Sequence, residues 1–204
     1  MSKLLDLLLP TPCLLCDKLG KPLCNKCQEN FPIERIPIEI SGLQGFAVSE
    51  YSQAASVLIN SFKEKGITSL SPILAGLMVK VWPTDISHAV LVPIPSSPAN
   101  SKKRGFSHTS VLAKALAREV NGSIVRALLR SARGRKDQVG LSGLERTRNM
   151  DGAFRAELRS FQSQGRPIVL VDDVLTSGAS MRVAIETLAG SGVEVASFCV
   201  FARA

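Results

Sequence analysis

The chain has 204 residues, 25 Lys plus Arg against 17 Asp plus Glu, and a formal net charge of +8. That length admits one domain with an appendage or two small ones, and an apolar content of 45% excludes a largely disordered chain. No stretch reaches the roughly 18 uninterrupted apolar residues of a membrane-spanning helix, and the run Leu4–Leu9 carries Asp6 and stops at Pro10, which argues against a cleaved signal peptide.

The first 37 residues hold four of the five cysteines, as Cys13-x2-Cys16-x7-Cys24-x2-Cys27, with several prolines and no clear helical or strand period. A segment of that size builds no core without a staple. Each CxxC turn can bring two thiolates to one ion, and two such turns complete a tetrahedral sulfur site. Zinc is its usual occupant, and four protein ligands make such a site structural rather than catalytic. Two redox disulfides, unrelated buried thiols or an iron–sulfur cluster are the other readings of the same spacing. Five cysteines are too few for a disulfide scaffold, so the expected setting is reducing and cytoplasmic. The expected organisation is a four-cysteine zinc module over residues 1–37 and a larger domain over 38–204.

Ile38 to Tyr51 reads as strand, with Gly42 and Gly45 as turns. Ala54 to Lys65 sets Val57, Leu58 and Phe62 at helical spacing and stops at Gly66; Leu70 to Trp82 is a second helix, ended by Pro83. His88 to Ile94 is a buried strand, followed by a Pro/Ser/Asn loop and the helix Thr109 to Val120. His88, at a strand start, reads as structural. His108, beside a basic run, reads as a surface or helix-cap residue, with a general base as the sharper alternative.

Between Lys102 and Arg148, 12 basic residues face only 3 acidic ones, leaving +9 there and −1 on the rest of the chain. A basic middle implies an anionic partner, either a phosphorylated small molecule or a nucleic acid, unless it is simply a solvated face. Sparse aromatics (8 Phe, 1 Tyr, 1 Trp) argue against extensive base stacking. Arg126 to Arg148 is polar and Gly-containing and reads as a long excursion with some strand at its start; loops of that length are usually functional or disordered.

Pro167 to Val171 is an apolar run leading into Asp172 and Asp173. Thr176-Ser177-Gly178-Ala179-Ser180, an amphipathic helix Met181–Ala189 and a buried strand Val193–Phe201, which carries the core residue Cys199, follow. This is a βαβ unit, so the body is an α/β fold with a parallel sheet. A buried strand ending in two carboxylates reaches the rim where open α/β sheets place ligands. The small-residue turn then offers unhindered amides at a helix N-terminus, which suits a phosphate. The acids could receive ribose hydroxyls or hold magnesium; alternatively, acids and hydroxyls merely cap the helix.

Val169 to Ser180 resembles the phosphoribosyl-pyrophosphate (PRPP) motif of type I phosphoribosyltransferases. The chain as a whole resembles the ComF/GntX family, which joins a four-cysteine zinc module to such a domain. Cys13–Cys27, Phe62-Lys63-Glu64-Lys65-Gly66, Val92-Pro93-Ile94-Pro95, Arg104-Gly105-Phe106, Gln138-Val139-Gly140-Leu141-Ser142 and Asn149 to Phe154 fall in the family's order. The resemblance implies that Thr176, Ser177, Gly178, Ala179 and Ser180 bind the 5′-phosphate. It gives Asp172 and Asp173 the ribose hydroxyls and the catalytic assignment, and Ser96 and Ser97 the start of the pyrophosphate loop. Lys103 and Arg104 become pyrophosphate partners, and Arg133–Asn149 the flexible loop closing over the site. Magnesium accompanies PRPP, and the phosphoribosyl acceptor is unspecified. Where family members often carry Thr-Thr-Gly-x-Thr and Gly-Phe-Asn-Gln, this chain has Thr176-Ser177-Gly178-Ala179-Ser180 and Gly105-Phe106-Ser107-His108.

The resemblance also implies a role in DNA uptake during natural transformation, with single-stranded DNA and DNA-uptake proteins as partners. The rival to an enzyme is a non-catalytic DNA-binding or assembly module on the same fold; a PRPP-sensing regulator is a third reading.

Overall fold

The computed structural model of the protein describes residues 11–96, 105–132, 152–159 and 161–204. Ser97, Lys103, Arg104 and the expected closing loop Arg133–Asn149 lie outside the described residues.

The strands are β1 (Ile36–Ile40), β2 (Leu43–Glu50), β3 (Val90–Pro93), β4 (Ile124–Val125), β5 (Leu129–Ser131), β6 (Phe154–Ala156), β7 (Ile168–Leu175) and β8 (Ser197–Arg203). The helices are α1 (Asn25–Glu29), α2 (Gln53–Lys63), α3 (Ser71–Val79), α4 (His108–Glu119) and α5 (Ala179–Ala189). Six strands form one sheet in the order β1-β2-β8-β7-β3-β4, and β5 and β6 pair separately. Every pairing from β2 to β4 is parallel. The expected parallel α/β sheet is therefore present, with one antiparallel strand added at its edge.

That edge strand comes from a turn. Ser41 and Gly42 both take left-handed backbone (φ 53° and 76°), the geometry of a two-residue hairpin whose twist matches its strands. The strand expected over Ile38–Tyr51, interrupted by turns, is a β1–β2 hairpin. Gly42 is the turn residue, but Gly45 is not: it lies inside β2, opposite Phe198. A Cβ on Gly45 would stand 2.5 Å from the Phe198 ring, so glycine serves close approach here rather than chain reversal.

Alternate residues of the central strands feed two cores. Val169, Val171, Cys199 and Phe201 pack with buried residues of α2, α3 and α4, whereas Leu170, Phe198 and Val200 pack with Met181, Ala184 and Leu188 of α5. Both faces are covered, which is why these strands read as unbroken apolar runs. The cysteine segment shares the first core: Cys13, Leu23, Cys24 and Phe31 are buried in it, and the Phe31 and Phe201 rings are 5.6 Å apart. No described helix is long and apolar enough to cross a membrane.

Candidate functional site

From β3 the chain passes through α4 to β4, on one side of the sheet order; from β7 it passes through α5 to β8, on the other. The connections that leave the carboxyl ends of the paired strands β3 and β7 therefore run in opposite directions, the arrangement at which open α/β sheets form ligand crevices. Ser96 lies just past β3, Asp172 and Asp173 lie late in β7, and Thr176–Ser180 follow it. β7 runs on to Leu175, two residues past the carboxylate pair at which the sequence places its end, because its ladder to β8 continues through Asp172, Val174 and Leu175. The acid pair is consequently held by strand backbone rather than by a loop.

Asp173 is only 3% exposed. Its Oδ2 lies 3.1 Å from Lys63 Nζ and 3.3 Å from His108 Nε2, and its Oδ1 accepts the Val174 N–H at 2.9 Å. His108 Nδ1 is 3.2 Å from Ser96 Oγ. Two contacts fix the start of α4 that carries this histidine. The Ser107 hydroxyl accepts from the Ser110 N–H at 3.3 Å, and Thr109 Oγ1 donates to the Ile94 carbonyl at 2.7 Å. His108 is thus not the surface residue its basic neighbours suggest: α4 turns it inward, leaving it 3% exposed. Ser131 at the end of β5 donates to the Ser96 carbonyl at 2.8 Å, which brings the β5–β6 ribbon to the same crevice.

At the start of α5, Gly178 caps the helix in left-handed backbone (φ 71°) and has no side chain to occupy its first amides. A Cβ there would also stand 3.1 Å from Ile40 Cδ1 at the end of β1. Gly178 itself places no side-chain cap on the helix start, and the Ala179 N–H points to Ser177 Oγ at a long 3.5 Å, so the turn presents backbone amides with small hydroxyls, the chemistry of an anion site. Two open clefts, of about 620 and 430 Å³, lie elsewhere, and neither is lined by Ser96, the acid pair or residues 176–180.

The two carboxyls titrate in opposite directions. Burial, then the charge of Asp173, pushes Asp172 well above the usual carboxylate range. Burial alone would raise Asp173 too, but the His108 hydrogen bond and the Lys63 and His108 charges together outweigh it and hold Asp173 well below that range. A raised folded pKa means stability that is present below about pH 4 and is lost as pH rises through the folded value. Asp172→Asn is therefore expected to raise the neutral-pH melting temperature, by about 2–4 °C for each kcal/mol gained, with the gain shrinking toward about pH 4. Asp173 has the depressed value, so its contribution is present above about pH 4 and is lost only as pH falls through its folded pKa. Asp173→Asn should cost about 1–3 kcal/mol at neutral pH by leaving the part-exposed Lys63 ammonium and the buried His108 ring without their carboxylate. Thermal melts of both variants from pH 4 to 8, without added metal, test this; shifts of the same sign would refute it.

At the other end of the core, the sulfurs of Cys13, Cys16, Cys24 and Cys27 lie within 4.8 Å of one another. Cys16 and Cys24 Sγ are 3.6 Å apart, the Cys24 N–H points to Cys13 Sγ at 3.4 Å, and none of the five cysteines is in a disulfide. Burial raises the Cys13 thiol, but backbone hydrogen bonds from Cys24, Leu15 and Cys16 outweigh it and bring the pKa down to about 6. Cys27, bonded to Cys16 and crowded by the other sulfurs, is pushed up to about 12. Four converging sulfurs with one readily ionised member fit a tetrahedral zinc ion, which needs all four as thiolates.

Of the sequence-derived site residues, the structure brings Asp172, Asp173, Ser96 and Thr176–Ser180 to one rim, and the four cysteines to one cluster. Lys63 is the residue that reading by chemistry passed over. It ends α2 as a basic residue before a helix-stopping Gly66, and only the tertiary fold reveals it as a partner of Asp173.

Residues 103–204 match the family described as phosphoribosyl transferase domain. Over 197 residues the chain is 26% identical to "Competence protein ComFC" of Bacillus subtilis, covering 90% of this chain and 76% of that protein. It is 25% identical over 163 residues to "Competence protein F" of Haemophilus influenzae, with 77% and 71% covered. It is 26% identical over 195 residues to "DNA utilization protein YhgH" of Escherichia coli K12, with 87% and 79% covered.

Proposed function

We propose, for a chain that belongs to the ComF family of phosphoribosyl transferase domain proteins, that it binds PRPP with magnesium and transfers the phosphoribosyl group to an acceptor. The observation that carries the reading is the convergence of a strand-held acid pair and an uncapped helix start at one crevice. Amides of Thr176–Ser180 would take the 5′-phosphate. Asp172 and Asp173 would accept the ribose hydroxyls, and the turn from Ser96 and Ser97 would meet the pyrophosphate, with Lys103 and Arg104 as its cationic partners. Displacement at the anomeric carbon expels pyrophosphate through a ribosyl cation-like state. The residues therefore have to align the reactants, stabilise separated charge and exclude water. Magnesium supplies charge neutralisation on the leaving pyrophosphate.

The zinc reading of the cysteine cluster belongs to the same proposal, as a structural ion at Cys13, Cys16, Cys24 and Cys27. Three relatives are named for competence or DNA utilization, and we assign this chain to DNA uptake with them, in the cytoplasm, with single-stranded DNA and DNA-uptake proteins as partners. Near the ribbon, Arg126, Arg130, Arg155, Arg159 and Arg166 outnumber Glu157, which pairs with Arg130 and Arg159. That balance favours a polyanion and keeps a non-catalytic DNA-binding module as the second reading.

Calorimetric titration with PRPP and magnesium tests the proposal. Thr176→Ala with Ser180→Ala, and separately Asp172→Asn with Asp173→Asn, should each weaken binding about tenfold or more, as lost bonds to charged ligand groups do. Unchanged affinity in both double variants would overturn it. Repeating the titration with a single-stranded oligonucleotide at two salt concentrations reads the DNA arm, since phosphate-driven binding falls steeply with salt. No DNA affinity even at low salt would remove that arm.

A further inference from the structure

We propose that the two clefts at the amino-terminal rim of the sheet form one groove for single-stranded DNA, with phosphates at its arginine end and a base against Phe161. The proposal rests on the DNA arm of the proposed function and gives that arm a place. The clefts, of about 620 and 430 Å³, share Phe161, Gln162, Ser163, Gln164 and Arg166 in their linings, so they adjoin along one strip of chain. The segment entering β7, the start of β4 and the loop before β8 line them. These strands run parallel, so the groove lies at their amino ends. Asp173 stands five residues along β7 from Ile168 of the groove, about 16 Å at strand rise. A ligand in the groove therefore leaves the crevice at the carboxyl ends open.

The two halves differ in chemistry. Among the described residues, the smaller cleft is lined by Arg126, Arg159 and Arg166 against one carboxylate, Glu157, which already pairs with Arg130 and Arg159. Arg126 is exposed, and its bond to the Val125 carbonyl uses one N–H of the guanidinium fork. Arg166 is held in place by donating from Nη1 to the Gly122 carbonyl at 2.8 Å. The larger cleft sets Arg166 against Glu194, and the rest of its described lining is neutral, with the half-buried Phe161 ring and Pro167, Ile168 and Val193 as apolar wall. The strip between the halves is preformed: Gln164 and Gly165 take left-handed backbone (φ 53° and 74°), and the Arg166 N–H closes their turn on the Ser163 carbonyl at 3.0 Å. An occupant that fits both halves is anionic at one end and flat and uncharged at the other. A nucleotide unit of a single strand is both: arginine forks match its phosphate, and its base stacks on an aromatic ring. Glu194 repels a phosphate from the larger cleft and suits the amino group of a base there. An acidic peptide satisfies only the arginine end, and a duplex keeps its base faces stacked away.

Fluorescence anisotropy of a labelled short oligodeoxycytidylate, titrated with the full chain at several salt concentrations, tests this. Arg126→Gln should weaken binding several-fold and reduce the salt slope by about one, as the loss of one phosphate contact does. Phe161→Leu keeps an apolar side chain on the second core but loses the ring face, and should weaken binding about fivefold or more. Polyglutamate, titrated in parallel, should not distinguish Phe161→Leu from the wild type. Arg126 is exposed and belongs to neither core, so its variant reads the groove even where Phe161→Leu lowers the melting temperature. Wild-type affinity and slope in Arg126→Gln would overturn the proposal while DNA binding elsewhere on the chain stands. Equal losses of oligonucleotide and polyglutamate in Phe161→Leu would make the groove a general anion or acidic-peptide site and overturn it as well. If the wild type does not bind the oligonucleotide even at low salt, the DNA arm falls and the groove assignment with it.

Discussion

Cys24→Ser is expected to lose the bound metal and to lower the melting temperature by about 10 °C or more, because structural zinc can contribute on the order of 10 kcal/mol. Three roles meet in this residue. Its sulfur belongs to the four-sulfur cluster, its N–H points to Cys13 Sγ, and its backbone opens α1. It is also buried in the core that holds Leu23, Phe31, Phe46 and Phe201. Loss of the ion should therefore loosen the sheet face beneath α2 and α3 as well as the first thirty-odd residues. Elemental analysis of protein purified without added metal should give about one zinc per chain and far less in the variant, with melts run alongside. Iron in place of zinc, or full metal retention by Cys24→Ser, would overturn the assignment.

The second large effect needs no ligand. Gly45→Ala should cost about 2–4 kcal/mol, which is about 5–12 °C for a chain of this size, because it forces a methyl into an occupied space. Three ring atoms of Phe198 stand 2.5 Å from where that methyl would be, and Phe198 is fully buried between β2 and α5. The ring cannot swing outward without emptying the second core. Phe198→Leu opens a smaller cavity, so the double variant Gly45→Ala/Phe198→Leu should be more stable than the sum of the single losses indicates. Urea melts of the four proteins measure the coupling, and strict additivity would contradict this seating of the ring.

The elements legible in the sequence are those whose signal is local. Val169–Val171 and Phe198–Phe201 are apolar on both faces, and Ser52 and Ser107 accept amides at the starts of α2 and α4. The two CxxC pairs and the turn before α5 carried their chemistry in their spacing. What escaped was tertiary. Gly45 looks like any turn glycine until Phe198, remote in sequence, lies across it. The sequence places the end of β7 at its two carboxylates because charge usually marks a rim, yet β8 continues to pair with it to Leu175. Lys63 ends α2 and His108 starts α4, and only the meeting of those two helix ends at Asp173 makes them one network. A charged residue at a helix end has an ordinary local explanation, so sequence alone gave no reason to join them.

The sheet order also governs how the chain can come off the ribosome. β2 is complete once residue 50 has been made, yet its parallel neighbour is β8, and Ser197 Oγ reaches the Gln44 carbonyl across 153 residues of sequence. Until β8 emerges, β2 and β7 each present an open ladder edge, the kind of surface that recruits other chains. Long-range parallel pairing of this kind is intrinsically slow. Nascent chains halted before residue 197 should therefore be held by chaperones and remain protease-sensitive, since only β8 closes the sheet between β2 and β7. A synonymous change that slows decoding of the codons between β2 and β8 would lengthen that exposed interval without altering a single side chain.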